Sequence, residues 1–248
     1  MSSKTGNSYL LISAATSDIG FAIVKRLAVS NNLILHGRDE AKLASIINQV
    51  ETSHKIIPWC YDFKVVDGIQ ESLKRIITDN ELVISGFVHC AGTLKILPLK
   101  NFRLDYAREI FDVNFFSAAE IIKTLLLKVN KQELAGIVLI SALFSKLGSK
   151  GNSMYAASKG AVDSFVNSMA VELAPAVRVN SVLPGGLRTS MTAGMFDSEE
   201  HMRGFREKYL LGEGECDDIA AMVAFLISDD SKWITGQHFT VDGGATCH

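Results

Sequence analysis

YLLISAATSDIG, residues Tyr9 to Gly20, gives the first clear indication of how this chain folds. It begins with a short apolar run, which predicts a buried strand, and it ends in a turn that opens onto an apolar helix. The first backbone N–H groups of a helix have no partner within the helix, and they lie at the positive end of its dipole. A strand, turn and helix in this order therefore predict a binding site for phosphate groups.

Short runs rich in Val, Ile and Leu alternate with longer segments of helical period along the whole chain. Nearly continuous apolar strands indicate burial on both faces, as in a parallel sheet covered by helices. Because parallel strands need crossover connections, the alternation predicts an α/β fold with a doubly wound, Rossmann-type parallel sheet of about seven strands. The predicted strands are Tyr9–Ala14, Leu33–His36, Lys55–Tyr61, Val83–Cys90, Gly136–Ser141, Arg178–Leu183 and Gln237–Val241. The predicted helices are Ile19–Ser30, Asp39–Val50, Val65–Asp79, Leu104–Asn130, Ser153–Ala174 and Asp217–Ile227. No linker or repeat interrupts the alternation, so residues 1–248 are predicted to form a single domain.

Composition excludes several classes of partner. The formal net charge of -2 offers no broad attraction for nucleic acid or for an anionic membrane, and neither partner is expected. The apolar run that starts at Tyr9 is too short to span a bilayer and lacks the layout of a signal peptide. The four cysteines make no CxxC pair, which favours reduced thiols in the cytoplasm, and the six histidines show no ligand spacing, so no metal site is expected.

The stretch Tyr155-Ala156-Ala157-Ser158-Lys159 places a phenol and an ammonium four positions apart on one helix face. An adjacent positive charge lowers the pKa of an acid, so Lys159 is expected to lower the pKa of Tyr155. A tyrosine tuned in this way can exchange a proton with a carbonyl oxygen near neutral pH. Alone the pair is weak support for catalysis, because tyrosine and lysine share helix faces by chance in many proteins.

The turn after the first strand matches a dinucleotide-binding turn poorly. Of the three expected glycines only Gly20 remains, and Ala14 and Asp18 replace the other two. Two interpretations of Asp18 stay open: its carboxylate caps the helix, or it stands beside a pyrophosphate, where its charge is mildly unfavourable.

The end of the second strand predicts which dinucleotide binds. NAD-selective folds place a carboxylate here to bind the ribose 2′-hydroxyl, but in this chain the position is Gly37. Arg38 follows, and its guanidinium suits a 2′-phosphate. NADP is therefore the expected cofactor, and NAD is the less favoured one. The alternative is an ordinary exposed arginine ahead of a helix capped by Asp39.

Together these features resemble the short-chain dehydrogenase/reductase superfamily over essentially the whole chain, in the branch that contains 3-oxoacyl-carrier-protein reductases and bacterial alcohol or sugar dehydrogenases. The matching segments are Tyr155-Ala156-Ala157-Ser158-Lys159, Asp62-Phe63, Cys90-Ala91-Gly92, Val113-Asn114, Val179 to Gly185 with Thr189, Ile234-Thr235-Gly236, and Val241-Asp242-Gly243-Gly244.

The resemblance implies hydride transfer between a nicotinamide and a carbonyl or secondary alcohol. It implies that Tyr155 donates or accepts the proton, that Lys159 lowers the pKa of Tyr155 and binds the nicotinamide ribose, and that Asn114 holds a water of the proton relay. Asp62 and Phe63 are expected to border the adenine, Gly92 to pass close to the adenosine ribose, and Pro184, Gly185 and Thr189 to line the nicotinamide. The full set of expected cofactor contacts is Ser13, Thr16, Ser17, Asp18, Ile19, Gly20, Arg38, Asp62, Phe63, Ala91, Gly92, Lys159, Pro184, Gly185 and Thr189.

Three departures from the family pattern affect the expected site. The serine that binds the substrate oxygen in the family is Ala142 here, and Ser145 is the candidate to reach the substrate from the following loop. Ser141 is adjacent to Ala142, but neighbouring strand residues point to opposite faces. The depleted glycine turn is the second departure. The third is His89-Cys90, where two asparagines are usual.

Two further features predict a lid and self-association. Residues 185–214 break the βα rhythm with apolar residues among charges, which predicts either a mobile lid over a small-molecule substrate or a helical pair packed on the body. The helices Leu104–Asn130 and Ser153–Ala174 carry more apolar side chains than one sheet contact usually needs, so a homodimer or homotetramer is expected. The apolar side chains in question are Phe115, Phe116, Ile121, Leu125, Phe165 and Met169.

The leading hypothesis is an NADP-dependent oxidoreductase that is impaired by Ala142 or uses a replacement donor. The second hypothesis is a nucleotide-binding regulatory or assembly subunit that keeps the fold without catalysis. The altered functional loops favour the second hypothesis, whereas the intact Tyr155, Lys159 and Asn114 favour the first.

Overall fold

The computed structural model describes residues 8–193, 203 and 208–247. Seven parallel strands form one sheet in the order β3-β2-β1-β4-β5-β6-β7, with helices on both faces. The strands are β1 Ser8–Ser13, β2 Asn32–Gly37, β3 Ile56–Cys60, β4 Val83–His89, β5 Gly136–Ile140, β6 Arg178–Pro184 and β7 His238–Val241. The helices are α1 Asp18–Leu27, α2 Glu40–Ile47, α3 Ile69–Asp79, α4 Leu104–Phe111, α5 Ser117–Leu125, α6 Ser153–Leu173 and α7 Cys216–Ile227. The predicted doubly wound sheet of seven strands is confirmed.

Two apolar cores lie on opposite faces of the sheet. On one face α3, α5 and α6 cover the strands, and on the other face α1, α2 and α7 do so. The central strand β5 is buried along its whole length, which explains its continuous run of apolar residues. The edge strands β3 and β7 are more exposed.

The predicted helix Leu104–Asn130 begins at the expected residue but ends early, at Leu125. A π-helical turn, Asp112–Phe116, separates α4 from α5, and α5 ends at Leu125. A π turn widens the hydrogen-bond ladder locally, and such turns are frequent at functional sites. Here the turn contains Asn114, whose side chain is fully engaged with other segments, as described below.

The apolar side chains expected to form an oligomer surface lie mostly inside the fold. Ile121, Leu125 and Met169 are buried, whereas Phe116 is 46% exposed. The distance between the ring centroids of Phe115 and Phe165 is 5.3 Å, so these two side chains pack on each other. The premise that both helices present a broad apolar face is therefore wrong for most of these residues, because the sheet and the helix–helix contact already cover them.

Candidate active site

Helix α6 places Tyr155 and Lys159 one turn apart. The Lys159 side chain is buried, and its Nζ donates a 2.7 Å hydrogen bond to the carbonyl oxygen of Ile140 at the end of β5. Burial lowers the pKa of Lys159 to about 8, although Asp163 and the Cys90 thiol act in the opposite direction. The lysine can therefore lose its proton in a mildly alkaline range.

The structure corrects the expectation for Tyr155. Burial raises the pKa of Tyr155 to about 12, whereas the sequence predicts that Lys159 lowers it. The Lys159 ammonium is directed to Ile140, and its Nζ lies 5.9 Å from the centroid of the phenol ring. Desolvation of the phenolate thus outweighs attraction by the ammonium. Tyr155 stands in this arrangement as a neutral phenol, the form that can donate a proton.

Asn114 connects the segment after β4 to the helix of Tyr155. Its Oδ1 accepts from the backbone N of Thr93 at 2.7 Å, and its Nδ2 donates to the Thr93 carbonyl at 3.1 Å and to Ser158 Oγ at 3.0 Å. Ser158 Oγ in turn donates to the Tyr155 carbonyl at 2.7 Å. Sequence reasoning missed this role of Ser158, for which the only signal was its position between Tyr155 and Lys159.

Gly92 borders both Lys159 and Asn114. A Cβ atom at Gly92 would lie 3.5 Å from Lys159 Nζ and 3.8 Å from Asn114 Oδ1. The structure thus brings these three predicted residues together at the carboxyl ends of β4 and β5. The absence of a side chain at Gly92 keeps room beside the ammonium for a bound group.

The position expected to bind the substrate oxygen lacks a hydroxyl. Ala142 is 8% exposed and has an extended backbone. Ser141 Oγ donates to the Lys159 carbonyl at 3.3 Å, so this hydroxyl supports α6. Ser145 ends a short 3-10 turn after Ala142, and its buried Oγ has no hydrogen-bond partner within residues 8–193, 203 and 208–247. Of the two serines, Ser145 is the one whose hydroxyl has bonding capacity left.

In the turn after β1, Ser17 caps the helix and Asp18 does not. Ser17 Oγ accepts from the backbone N of Gly20 at 3.1 Å and donates to the Ala14 carbonyl at 2.8 Å. The Asp18 carboxylate instead accepts from the backbone N and the hydroxyl of Ser190, at 2.8 and 2.7 Å. The interpretation of Asp18 as the cap is therefore wrong, since its side chain ties the turn to the segment after β6.

The single retained glycine of the turn has a steric reason. A Cβ atom on Gly20 would lie 2.2 Å from the Ala14 carbonyl oxygen, a distance that real atoms do not adopt. Ala14 itself has a φ of 47°, a left-handed conformation that favours glycine. The turn thus keeps its shape with strain at Ala14. Thr16 lies beside the end of β2: a Cβ atom added to Gly37 would stand 3.1 Å from Thr16 Cγ2. Ile19 packs against the apolar core that α1 covers.

Two expected cofactor contacts have their side chains in the interior. Ser13 is fully buried, and its Oγ accepts from the backbone N of Cys90 at 3.0 Å and of Ala91 at 3.2 Å, which joins β1 to β4. Phe63 is 3% exposed, and its ring stacks on His36 at 3.8 Å between centroids, so the ring belongs to the core and does not border an open adenine site. Burial of these side chains leaves the backbone groups of Ser13 and Phe63 for a cofactor, so both contacts stay predictions.

The polar residues of the predicted adenosine region are accessible. Arg38 is exposed at the end of β2 and forms no ion pair with another of the residues 8–193, 203 and 208–247. Asp62 is also exposed, and its Oδ1 accepts from the backbone N of Lys64 at 3.1 Å. Arg38 can therefore reach an anionic group at this edge.

Pro184, Gly185 and Thr189 lie where β6 ends and the irregular segment begins. A Cβ atom on Gly185 would lie 2.8 Å from the Cα of Asp242, so the chain passes here without room for a side chain. The hydroxyls of Thr189 and Thr192 are 2.9 Å apart. An adjacent cavity of about 280 Å³ lies between this segment and the end of β7. Sequence reasoning did not find this cavity, which is lined by residues 185–187, 209, 211–214, 218–219 and 241–243.

The two ends of the predicted lid contact each other. Tyr209 Oη accepts from the backbone N of Gly186 at 2.6 Å, and Leu187 forms a parallel bridge with Gly214. Residues 194–202 and 204–207, which include most of the apolar residues behind the lid prediction, lie outside the described part of the chain. The lid therefore stays a prediction.

Neither a bilayer-spanning helix nor a metal-binding cluster occurs in the part of the chain that the structure describes. No helix there is long and apolar enough to cross a membrane. No group of three or more His, Cys, Asp or Glu residues there is arranged to hold a metal ion.

Comparison with known proteins places the chain in a large family. The family model described as Enoyl-(Acyl carrier protein) reductase matches residues 13–246. The chain is 30% identical to a 3-oxoacyl-[acyl-carrier-protein] reductase of Aquifex aeolicus, over 94% of this chain and 95% of the relative. It is 32% identical to a cyclopentanol dehydrogenase of Comamonas testosteroni over 66% of this chain and 67% of the relative.

Solved structures agree with the sequence relatives. A 4-hydroxyisoleucine dehydrogenase complexed with NADH superimposes with a TM-score of 0.89 at 26% identity, covering 98% of this chain and 100% of the other. A short-chain dehydrogenase/reductase from Mycobacterium ulcerans gives a TM-score of 0.87 at 27% identity, over 98% of this chain and 90% of the other. With its parallel sheet and the Tyr155–Lys159 pair on α6, the chain belongs to the short-chain dehydrogenase/reductase superfamily, in the 3-oxoacyl-carrier-protein-reductase-like branch.

Proposed function

We propose that the protein is an NADP-dependent oxidoreductase that acts on a carbonyl or secondary alcohol. Family membership supports a nicotinamide-dependent oxidoreductase, and the choice of NADP and of substrate class goes beyond it. One observation supports the proposal most strongly: four residues lie close together at the carboxyl ends of β4 and β5. They are Tyr155, Lys159, Asn114 and Gly92. Open α/β sheets bind their ligands at this edge.

The residues present suit a bound dinucleotide. Gly92 leaves space beside Lys159, and the Asp18 carboxylate is occupied by Ser190. The backbone at the start of α1 offers N–H groups to a pyrophosphate. When bound, the nicotinamide supplies or accepts the hydride.

Tyr155 is the proposed proton donor and acceptor. In the reducing direction the neutral phenol donates its proton to the carbonyl oxygen, and in the oxidising direction the same oxygen takes the proton back. The Lys159 ammonium stabilises the phenolate that remains after donation, and Asn114 holds the segment of Gly92 against α6. Ser145 is the proposed donor to the substrate oxygen in place of Ala142, because its buried hydroxyl has no other partner within the described residues.

Arg38 is proposed to select NADP. Because its guanidinium is exposed beside Gly37, where no carboxylate opposes a phosphate, NADPH should bind more tightly than NADH. Titration of both cofactors by fluorescence should show this preference, and Arg38→Asp should erase or reverse it. Arg26→Asp, which removes an exposed arginine of α1, is the matched control and should keep the preference. Equal affinities in the unaltered protein would refute the assignment.

The substrate, location and assembly follow as proposals. The named relatives include an acyl-carrier-protein reductase and a cyclopentanol dehydrogenase, which supports a partly hydrophobic carbonyl or alcohol. Cys60, Cys90 and Cys216 are free thiols, which supports a cytoplasmic location. A homodimer or homotetramer stays a prediction that sedimentation velocity over a range of concentrations tests.

A further inference from the structure

On helix α6, a stripe of polar side chains begins with Tyr155 and Lys159 and extends along the helix. Tyr155, Lys159, Asp163 and Asn167 follow one another at intervals of four residues, so they lie on one side of the helix. Lys159 and Asp163 are 3% and 9% exposed, which is unusual for charged side chains. The stripe runs from the candidate active site toward the edge of the sheet at β7.

A hydrogen-bond network fixes Asp163. Ser181 Oγ donates to Asp163 Oδ1 at 3.1 Å, and His238 Nδ1 lies 2.7 Å from Ser181 Oγ and 3.6 Å from Asp163 Oδ1. Ser181 and His238 are register partners on β6 and β7, so their side chains share the sheet face that α6 covers. His238 Nε2 lies 2.9 Å from Asn167 Oδ1, which closes the network on the helix.

The hydrogen-bond network of Asp163 and the hydrogen bond of Lys159 involve neighbouring positions of the sheet. Lys159 Nζ binds the Ile140 carbonyl, and Ile140 is the register partner of Val182, the neighbour of Ser181. Asp163 Oδ2 is buried without a hydrogen-bond partner within the described residues. A buried carboxylate is costly unless an opposite charge compensates it, and the buried cation one helical turn away is Lys159.

We propose that Asp163 is a positioning residue for Lys159: fixed by Ser181 and His238, its carboxylate keeps the buried ammonium protonated and in place. This inference rests on the proposed function, in which Lys159 must be a cation during proton transfer. Neither the pentapeptide of Tyr155 nor the family resemblance assigns a role to Asp163, Ser181 or His238.

The other groups around Lys159 do not supply the same compensation. Tyr155 on α6 is a neutral phenol, and burial raises the pKa of the Cys90 thiol to about 12, so this group is neutral as well. His89 on β4 is neutral because burial, followed by repulsion from Lys159, lowers its pKa to about 3. Asp163 thus makes the largest contribution that favours the charged form of Lys159.

The test compares the alkaline limit of activity, the pH above which turnover declines, in four proteins and one control variant. Reduction of a carbonyl by NADPH and the affinity for NADPH are measured from pH 6 to 10 in the unaltered protein, Asp163→Asn, Asp163→Glu and Ser181→Ala. Without the carboxylate charge, Lys159 loses its proton at lower pH, so the alkaline limit of Asp163→Asn should fall by about one pH unit. Asp163→Glu should retain the original limit, and Ser181→Ala should shift it in the same direction as Asp163→Asn but less. Glu172→Gln, which removes an exposed carboxylate from the same helix, is the control and should not shift the limit.

The outcomes separate this inference from the proposed function. An unchanged alkaline limit in Asp163→Asn, or in Ser181→Ala if Asp163→Asn does not fold, would overturn the inference. A shift in Asp163→Glu as large as that in Asp163→Asn would also overturn it, because charge would then not be the cause. If Lys159→Met kept full turnover at every pH, the proposed function would fail instead.

Discussion

At the scale of single residues, the proposed mechanism assigns hydrogen bonding to the substrate oxygen to Tyr155 and to a group that replaces the hydroxyl missing from Ala142. The backbone of Ala142 is extended, and its side chain is nearly buried. Ser145 Oγ retains bonding capacity three residues further along the chain. The relative importance of these two positions can be measured directly.

Ala142→Ser should raise the rate of the chemical step. A hydroxyl at this position adds a donor to the substrate oxygen, and the gain could approach roughly 100-fold, or about 2.7 kcal/mol of transition-state stabilisation, if no other group already serves. The measurement is kcat with NADPH and a carbonyl substrate at constant pH. Ser145→Ala is the companion variant: a large loss there, with little gain from Ala142→Ser, would show that Ser145 has taken over the role.

The sequence predicts site residues that belong to local patterns, but it does not predict residues whose role depends on contacts between distant segments. Tyr155, Lys159 and Asn114 belong to short patterns, and the structure brings them together. Ser158 contacts Asn114, and Asp163 contacts Ser181, through packing of distant segments, so no local pattern predicts these contacts. The pKa of Tyr155 was predicted in the wrong direction, because neighbouring charge is visible in a sequence and desolvation is not.

At the scale of elements, the turns at the carboxyl ends of the strands determine how a cofactor can bind. The alternation of strands and helices follows from hydrophobic period, and the strands were predicted with bounds close to those observed. The sequence does not predict the π turn around Asn114, whose side chain bonds to groups that are remote in the sequence. The same limit applies to Asp18, whose partner Ser190 lies 172 positions away in the sequence.

Gly92→Ala should weaken cofactor binding without unfolding the protein. The added Cβ would stand 3.5 Å from Lys159 Nζ, an ordinary contact that needs no rearrangement, but it would occupy space proposed for the cofactor ribose. We expect roughly tenfold lower affinity for NADPH, which is about 1.4 kcal/mol, and an unchanged melting temperature. Gly148→Ala, where a Cβ would meet nothing within 4 Å, is the control. Unchanged affinity in Gly92→Ala would contradict the assigned ribose site.

At the scale of the whole molecule, one sheet carries two apolar cores and buries several titratable groups between strands. His36 and His89 lie in this interior, and burial lowers their pKa values to about 4 and about 3. Both rings are therefore neutral in the folded protein at moderately acidic pH. Because their pKa values are lower in the folded than in the unfolded chain, acid should lower the free energy of unfolding.

Stability should fall as the pH drops below the ordinary histidine value of about 6.5. Above that pH neither state of the chain protonates these rings, so their contribution to stability is complete. Below it the unfolded chain takes up protons that the folded protein excludes, and the free energy of unfolding falls by about 1.4 kcal/mol per pH unit for each histidine. Urea unfolding between pH 7 and 4.5 measures how steeply the free energy of unfolding changes with pH. His89→Asn should reduce this slope by about half of what the two histidines contribute together. A slope that is the same in the variant would contradict the assignment.

The most direct test of the central claim, that Tyr155 passes the proton in an NADPH-dependent reduction, is the turnover of Tyr155→Phe. The measurement is the loss of NADPH absorbance with a panel of carbonyl substrates, alongside NADPH affinity for the same proteins. The proposed mechanism predicts turnover by the unaltered protein and a fall of roughly 100- to 10,000-fold in the variant, because phenylalanine cannot transfer a proton. Affinity for NADPH should stay nearly the same. Full turnover by Tyr155→Phe would contradict the mechanism, and NADPH binding without turnover of any substrate by the unaltered protein would instead favour a non-catalytic nucleotide-binding subunit.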